Sequence, residues 1–261
     1  MTVADQTSLL SSRIICAGAL IDDTRVLLAN WNTSVPAAEN MSRIQAENLL
    51  GKGSRSRLNA IFKFLRQRFL RDQELTNALA ILEQGGMDGS SLRTILYVLT
   101  ARADPLLHAS VIEVLAPLRA SGRQRVMPVD LLPDFRRWQK EHRCTETWNE
   151  LTMIRTAQGL LSTLRDFGIL QGAVNKTFSP FIVPSRAFAF IAATLRRDQP
   201  SASKLVAHPD WALLFFDHTA VDRSFISAHQ ERLLIYQAAG SLARIDFPTD
   251  SLEDYARALI R

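Results

Sequence analysis

Cysteine is almost absent from this chain. Its 261 residues hold two, Cys16 and Cys144. Nothing in that pair suggests a disulfide framework, so a reducing compartment is expected. Cys16 lies in an apolar run and reads as a small core residue. Glycine and proline are scarce, at 11 and 10 residues, which fits a globular chain. Long apolar runs are missing too: none approaches the ~20 residues of a spanning helix. Ile14 to Ile21 is too short, and Arg13 interrupts any leader. The expectation is a cytoplasmic protein with no membrane partner. The length is enough to bury a sizeable core without staples.

Catalytic signatures are also missing. There is no Gly-x-Ser-x-Gly, no His-Glu-x-x-His and no dinucleotide fingerprint. Gly51 to Arg57 is not a phosphate-binding P-loop, because no apolar strand precedes it and no Gly-Lys-Ser or Gly-Lys-Thr ends it. His208, His218 and His229 carry no motif that brings them together, and His142 with Cys144 lacks a second pair of ligands. Asp22-Asp23 reads as a helix start rather than an acid–base pair. No cofactor, no metal and no enzymatic activity are expected.

The residue mix favours helix: Leu, Ala, Arg, Glu and Gln dominate, and alternating strand runs are few. The expected fold class is all-α, mainly helical, with helix-turn-helix or winged-helix-like units and one or two short β-hairpins. Residues 1–6 read as a tail and Ser8 to Ala17 as a short helix. Further helices are expected over Thr24–Trp31, Ala37–Leu50, and from Ser54 or Ser56 past Phe69. Asp104-Pro105 should start a helix that Pro117 ends or kinks. The segment Ser121–Pro128 is the best linker, giving domains 1–125 and 126–261. Beyond it, helices are expected over Leu131–His142, Thr145–Glu150, Ser185–Arg197 and Asp222–Ala239. A short edge strand over Ala243–Pro248 and a capping box of Asp250 with Glu253 close the chain. These last elements resemble a second, degenerate winged unit.

The stretch Thr145 to Pro184 is the most organised. Apolar residues at Leu151, Ile154, Ala157, Leu161, Leu164 and Gly168 follow helical spacing. Thr152 can cap that helix, and Gly168 ends it. A turn at Gln171 to Lys176 and a short β-prone run to Val183 follow. The expected outward face carries Arg155, Thr156, Gly159, Ser162 and Thr163, with Gln158 at its edge. That is a chemistry suited to the major groove of DNA.

Charge is unevenly spread around a net +5. Residues 51–71 carry seven basic groups and no acidic one. Residues 155–197 carry six basic groups against Asp166 alone. Two basic islands on a near-neutral background point to a polyanion partner. Lys52, Arg55, Arg57 and Lys63 belong to the first island. The N–H groups at its helix start form a plausible phosphate cradle.

Three landmarks resemble one known family. They are Gly18-Ala-Leu-Ile with Asn48-Leu-Leu-Gly-Lys and the Ser-Arg-Ser-Arg-Leu helix start; Trp148 through Arg155-Thr-Ala-Gln-Gly-Leu-Leu to Gly172; and Ile182-Val-Pro-Ser with the helix that follows. Together, over roughly residues 15 to 255, the chain resembles the BrxA family of bacteriophage exclusion (BREX) defence systems. The resemblance implies a helical protein that binds double-stranded DNA, works beside other BREX proteins and does no catalysis. On the residue argument, Lys52, Arg55, Arg57, Lys176 and Arg186 would neutralise phosphates, while Arg155, Thr156, Gln158 and Ser162 would face the groove. The alternative is an assembly adaptor of the defence complex, or an RNA-binding helical module, with no DNA readout.

Overall fold

The computed structural model describes residues 9–240 and 242–261. The expected tail over residues 1–6 lies outside them. In chain order the elements are α1 (Ile14–Ala17), α2 (Ile21–Ala29), α3 (Ala37–Ala46), α4 (Arg55–Arg68), α5 (Gln73–Gln84), α6 (Gly89–Ala103) and α7 (Pro105–Ala109). A π-helical segment (Ser110–Leu115) joins α7 to α8 (Ala116–Ala120). Then come β1 (Arg125–Val126), α9 (Leu132–Lys140), α10 (Glu150–Asp166), β2 (Leu170–Gln171), β3 (Lys176–Phe178), α11 (Ser185–Asp198) and α12 (Ala202–Val206). The chain closes with α13 (His218–Gln230), β4 (Ile235–Ala239), β5 (Leu242–Asp246) and α14 (Leu252–Leu259). The fold is mainly helical with two small antiparallel sheets, as the composition demands. Among the described residues no single helix is long and apolar enough to cross a membrane.

The chain divides into two compact units, each built from three segments. The first takes residues up to Ala19, Thr100–Ile182 and Pro209–Asp217; the second takes Leu20–Leu99, Val183–His208 and His218–Arg261. The junction between residues 125 and 126 falls inside β1 of the first unit.

In the first unit, the side chain of Asp104 accepts from Leu106 and Leu107 N–H, so the Asp-Pro start forms as its residues dictate. Pro117 does not break the helix. It follows a π turn in which the Ala116 N–H reaches Val111 O, five residues back. That wider turn lets a residue with no N–H sit in the chain without a break. The segment read as a linker supplies β1 instead. β1 pairs with β3 and β3 with β2, all antiparallel, giving the order β1-β3-β2. The core of this unit is aromatic around α9: Phe135 and Trp138 are fully buried, and both Trp138 and Trp148 lie 5.7 Å from Phe135, ring centre to ring centre.

In the second unit, α5 is buried along Ala78, Leu79, Ala80 and Leu82, and it packs against α2 and α14. Asn77 ties this packing together: it accepts from the Trp31 indole (2.9 Å) and donates to Glu253 (2.9 Å). Ser54 caps α4 by accepting from Arg57 N–H (3.2 Å), as read from the sequence. Two expectations fail here. Asp222–Ala239 is not one helix; α13 ends at Gln230 and the chain returns as the β4–β5 hairpin. Ile235, Tyr236 and Ile245 favour a strand, and two residues, Gly240 among them with φ +60°, close the turn. The last helix is capped by Ser251, which accepts from Asp254 N–H, and not by Asp250. In the first unit, Cys16 is exposed rather than core.

Candidate nucleic-acid interface

The first unit assembles its candidate surface from α10 and the sheet. Residues 145–149 form no helix. The chain bends at Thr145 and Glu146, just after an isolated bridge between Leu10 and Cys144 in which Thr145 N–H bonds Leu10 O and Leu10 N–H bonds Arg143 O. Asn149, not Thr152, caps α10 by accepting from Thr152 N–H at 2.8 Å. An asparagine in extended backbone, one residue before the first turn, competes better for that role than a threonine already inside it. At the other end Gly168 takes φ +81°, and Ile169 N–H returns to Leu164 O.

The exposed face of α10 differs from the sequence reading. Thr156 is fully buried, and its hydroxyl donates to Thr152 O at 2.7 Å. Thr163 is buried in the same way, donating to Gly159 O at 2.9 Å. Threonine satisfies its own hydroxyl on the preceding turn, so burial leaves nothing unpaired. α1 packs against this helix at Gly159. A Cβ at Gly159 would sit 3.3 Å from Ile15 Cα, which is how closely α1 lies on the helix. Leu151, expected on the apolar stripe, is 55% exposed instead. What remains outward is a narrow row at Leu151, Arg155, Gln158 and the half-buried Ser162. The two acids of the helix are each held by arginine: Glu150 by Arg136 (2.5 Å) and Asp166 by Arg165 (2.7 Å). Arg155 is exposed between them and forms no ion pair among the described residues.

Lys176 is the second correction. It is buried, and its ammonium donates to Ala173 O at 3.0 Å. Burial, with Arg165 nearby, lowers its pKa. It fastens the β2–β3 turn. That turn, Gly172 to Asn175, is exposed throughout. A Cβ at Gly172 (φ +93°) would lie 2.1 Å from Asn175 O, so only glycine closes it. Arg125 on β1 hydrogen-bonds the Asn175 side chain at the tip.

The second unit carries the other island. Arg55 and Arg57 are exposed in the first turn of α4, and Lys63 is exposed two turns on. The first turn holds no acid. Lys52 is engaged: it pairs with Asp23 at 2.5 Å, and its backbone N–H and C=O are both bonded by the Asn48 side chain. Lys52 therefore shapes the loop that presents Arg55 and Arg57. Arg186 is exposed on a separate element, the first turn of α11. The ten candidates thus fall in two units, with Arg155, Thr156, Gln158, Ser162 and Lys176 in the first and the rest in the second. Sequence reasoning missed Arg125, because β1 has only two residues and no strand signal of its own.

Replacing both Arg55 and Arg57 by Ala should leave the fold intact, since both are exposed, and lower the slope of log affinity against log salt by about 2 on duplex DNA. Anisotropy titrations over a salt series measure this. An unchanged slope removes the island from the interface.

The sequence profile of the BrxA family matches residues 10–194 of this chain. No curated protein matches it.

Proposed function

As the chain belongs to the BrxA family, a family of bacteriophage exclusion defence systems, we propose that it serves that defence by binding double-stranded DNA as a non-catalytic accessory protein. The observation that carries this reading is the first unit's topology. A helix buried on one face (α9), a turn and a helix with an open row (α10) are backed by a three-stranded β1-β3-β2 sheet whose β2–β3 turn projects as a wing. This is the order of a winged helix-turn-helix, although the turn between α9 and α10 is longer than the usual three or four residues. Arg155, Gln158 and Ser162 on the open row of α10 offer donors suited to base edges and phosphates in the major groove. The second unit has its own exposed cations, Arg55, Arg57, Lys63 and Arg186, suited to phosphate contacts that give affinity with little sequence information.

The test is fluorescence anisotropy of the full chain with a labelled duplex of ~20–30 base pairs, at low and at physiological salt. Binding that falls steeply with salt supports the reading. Arg155→Ala with Gln158→Ala should then weaken binding about tenfold to a hundredfold, on the scale of one or two lost base or phosphate contacts. Absence of binding at low salt overturns it in favour of an assembly adaptor, whose signature is co-purification with other BREX proteins free of nucleic acid.

A further inference from the structure

Resting on the DNA-binding reading, we infer that the β2–β3 wing enters the minor groove and that Val174 is an apolar wedge favouring A·T-rich duplexes. Val174 is 89% exposed at the tip of the turn. A branched apolar side chain held that far into water, on a turn that Gly172 and Lys176 fasten from within, gains nothing for the fold. Its neighbours are short: Gly172, Ala173 and Asn175. Such small side chains keep the tip narrow, as entry into a groove about 6 Å wide requires. The tip itself carries no charge of either sign, while cations ring its base. Arg125 holds Asn175, and Lys176 sits under Ala173 close enough to Arg165 for that charge to act on it. Asp166 also acts on Lys176, and Arg165 pairs it.

That arrangement matches the minor groove of A·T steps on three counts. The floor there lacks the guanine amino group, leaving room for an isopropyl group. The groove is narrower and more negative, which suits a small tip ringed by cations. Asn175, next to Val174, and Gln171, exposed at the end of β2, have the kind of side chain that reads minor-groove acceptors.

The experiment compares full-length protein on A·T-rich and G·C-rich duplexes of equal length at one salt concentration, with netropsin as a minor-groove competitor. The wild type should bind the A·T duplex several-fold to about tenfold more tightly, and netropsin should displace it in part. Val174→Ser changes an exposed side chain and leaves the turn intact; it should erase most of that preference. Arg155→Ala should weaken both duplexes and leave the ratio unchanged. Equal binding to both duplexes, indifference to netropsin and no effect of Val174→Ser would overturn the wing assignment while leaving DNA binding standing. No binding to either duplex would overturn both.

Discussion

Phe135→Ala should destabilise the first unit by about 3–5 kcal/mol, the usual cost of deleting a fully buried phenyl ring. Phe135 is the centre of the α9–α10 corner. The Trp138 ring stacks obliquely on one side and the Trp148 ring meets it edge-on, both at 5.7 Å. Trp148 is in turn pinned by its backbone N–H donating to Gln139 Oε1 (2.6 Å), and the next residue is the Asn149 cap of α10. Removing the ring leaves a void under the segment that aims α10, so the outward row of Arg155 and Gln158 loses its support as well. Urea denaturation followed by tryptophan fluorescence suits the measurement, because Trp138, Trp148 and Trp211 belong to the first unit and Trp31 alone to the second. Phe135→Leu keeps most of the volume and should cost less than about 1.5 kcal/mol. A loss below about 1 kcal/mol for the alanine variant would mean that the corner is not held by this ring.

Loss of Glu113 should be the next largest effect, about 2–3 kcal/mol for Glu113→Ala, the scale of hydrogen bonds to a charged group. Its carboxylate accepts from Arg143 (2.7 and 3.0 Å), from the Trp138 indole N–H (2.9 Å) and from Arg137 (3.3 Å). It stands in the π segment ahead of β1, and its partners lie on or just after α9, so it clamps two consecutive parts of the unit. The Arg143 hydrogen bond, the Trp138 indole and the Arg137 bond together hold the Glu113 pKa below the ordinary 4.5, against a burial cost of opposite sign. The clamp contributes its full stability above the unfolded pKa near 4.5, and loses it as pH falls through the lower folded value. Unfolding midpoints of the wild type should therefore drop on acidification below about pH 4.5, and Glu113→Gln should flatten that part of the profile. Identical profiles for the two proteins would show that other carboxylates set the acid limit.

Both expectations depend on contacts that no sequence pattern names, and the candidate surface divides along the same line. Local chemistry determined a good deal. Helix-forming composition and the scarcity of alternating runs required a mainly helical fold. Ser54 and Asp104-Pro105 start their helices, and Gly168 ends α10, because each decision involves only atoms within one or two turns. The two basic islands are properties of the sequence, and Arg55, Arg57, Lys63, Arg155 and Arg186 are exposed in the folded chain as expected.

Tertiary structure decided the rest. A helical wheel that offers threonine and glycine on one side is compatible with water or with a neighbour, since Thr156 and Thr163 satisfy their hydroxyls on their own helix. Packing of neighbouring elements, α1 against Gly159 among them, selected burial and narrowed the open row. Lys52 and Lys176 carry the same charge as Arg55. Asp23 and the Ala173 carbonyl claim them because the fold brings those acceptors within reach, one of them 29 residues away in the chain. The shortest strands depend most on the fold. Arg125 and Val126 carry no strand signal, and they become β1 because β3, some fifty residues later, presents an open edge to them. Charge and helix content are sums over residues and survive any folding. Which cation stays free, and which face stays open, are set by neighbours distant in sequence.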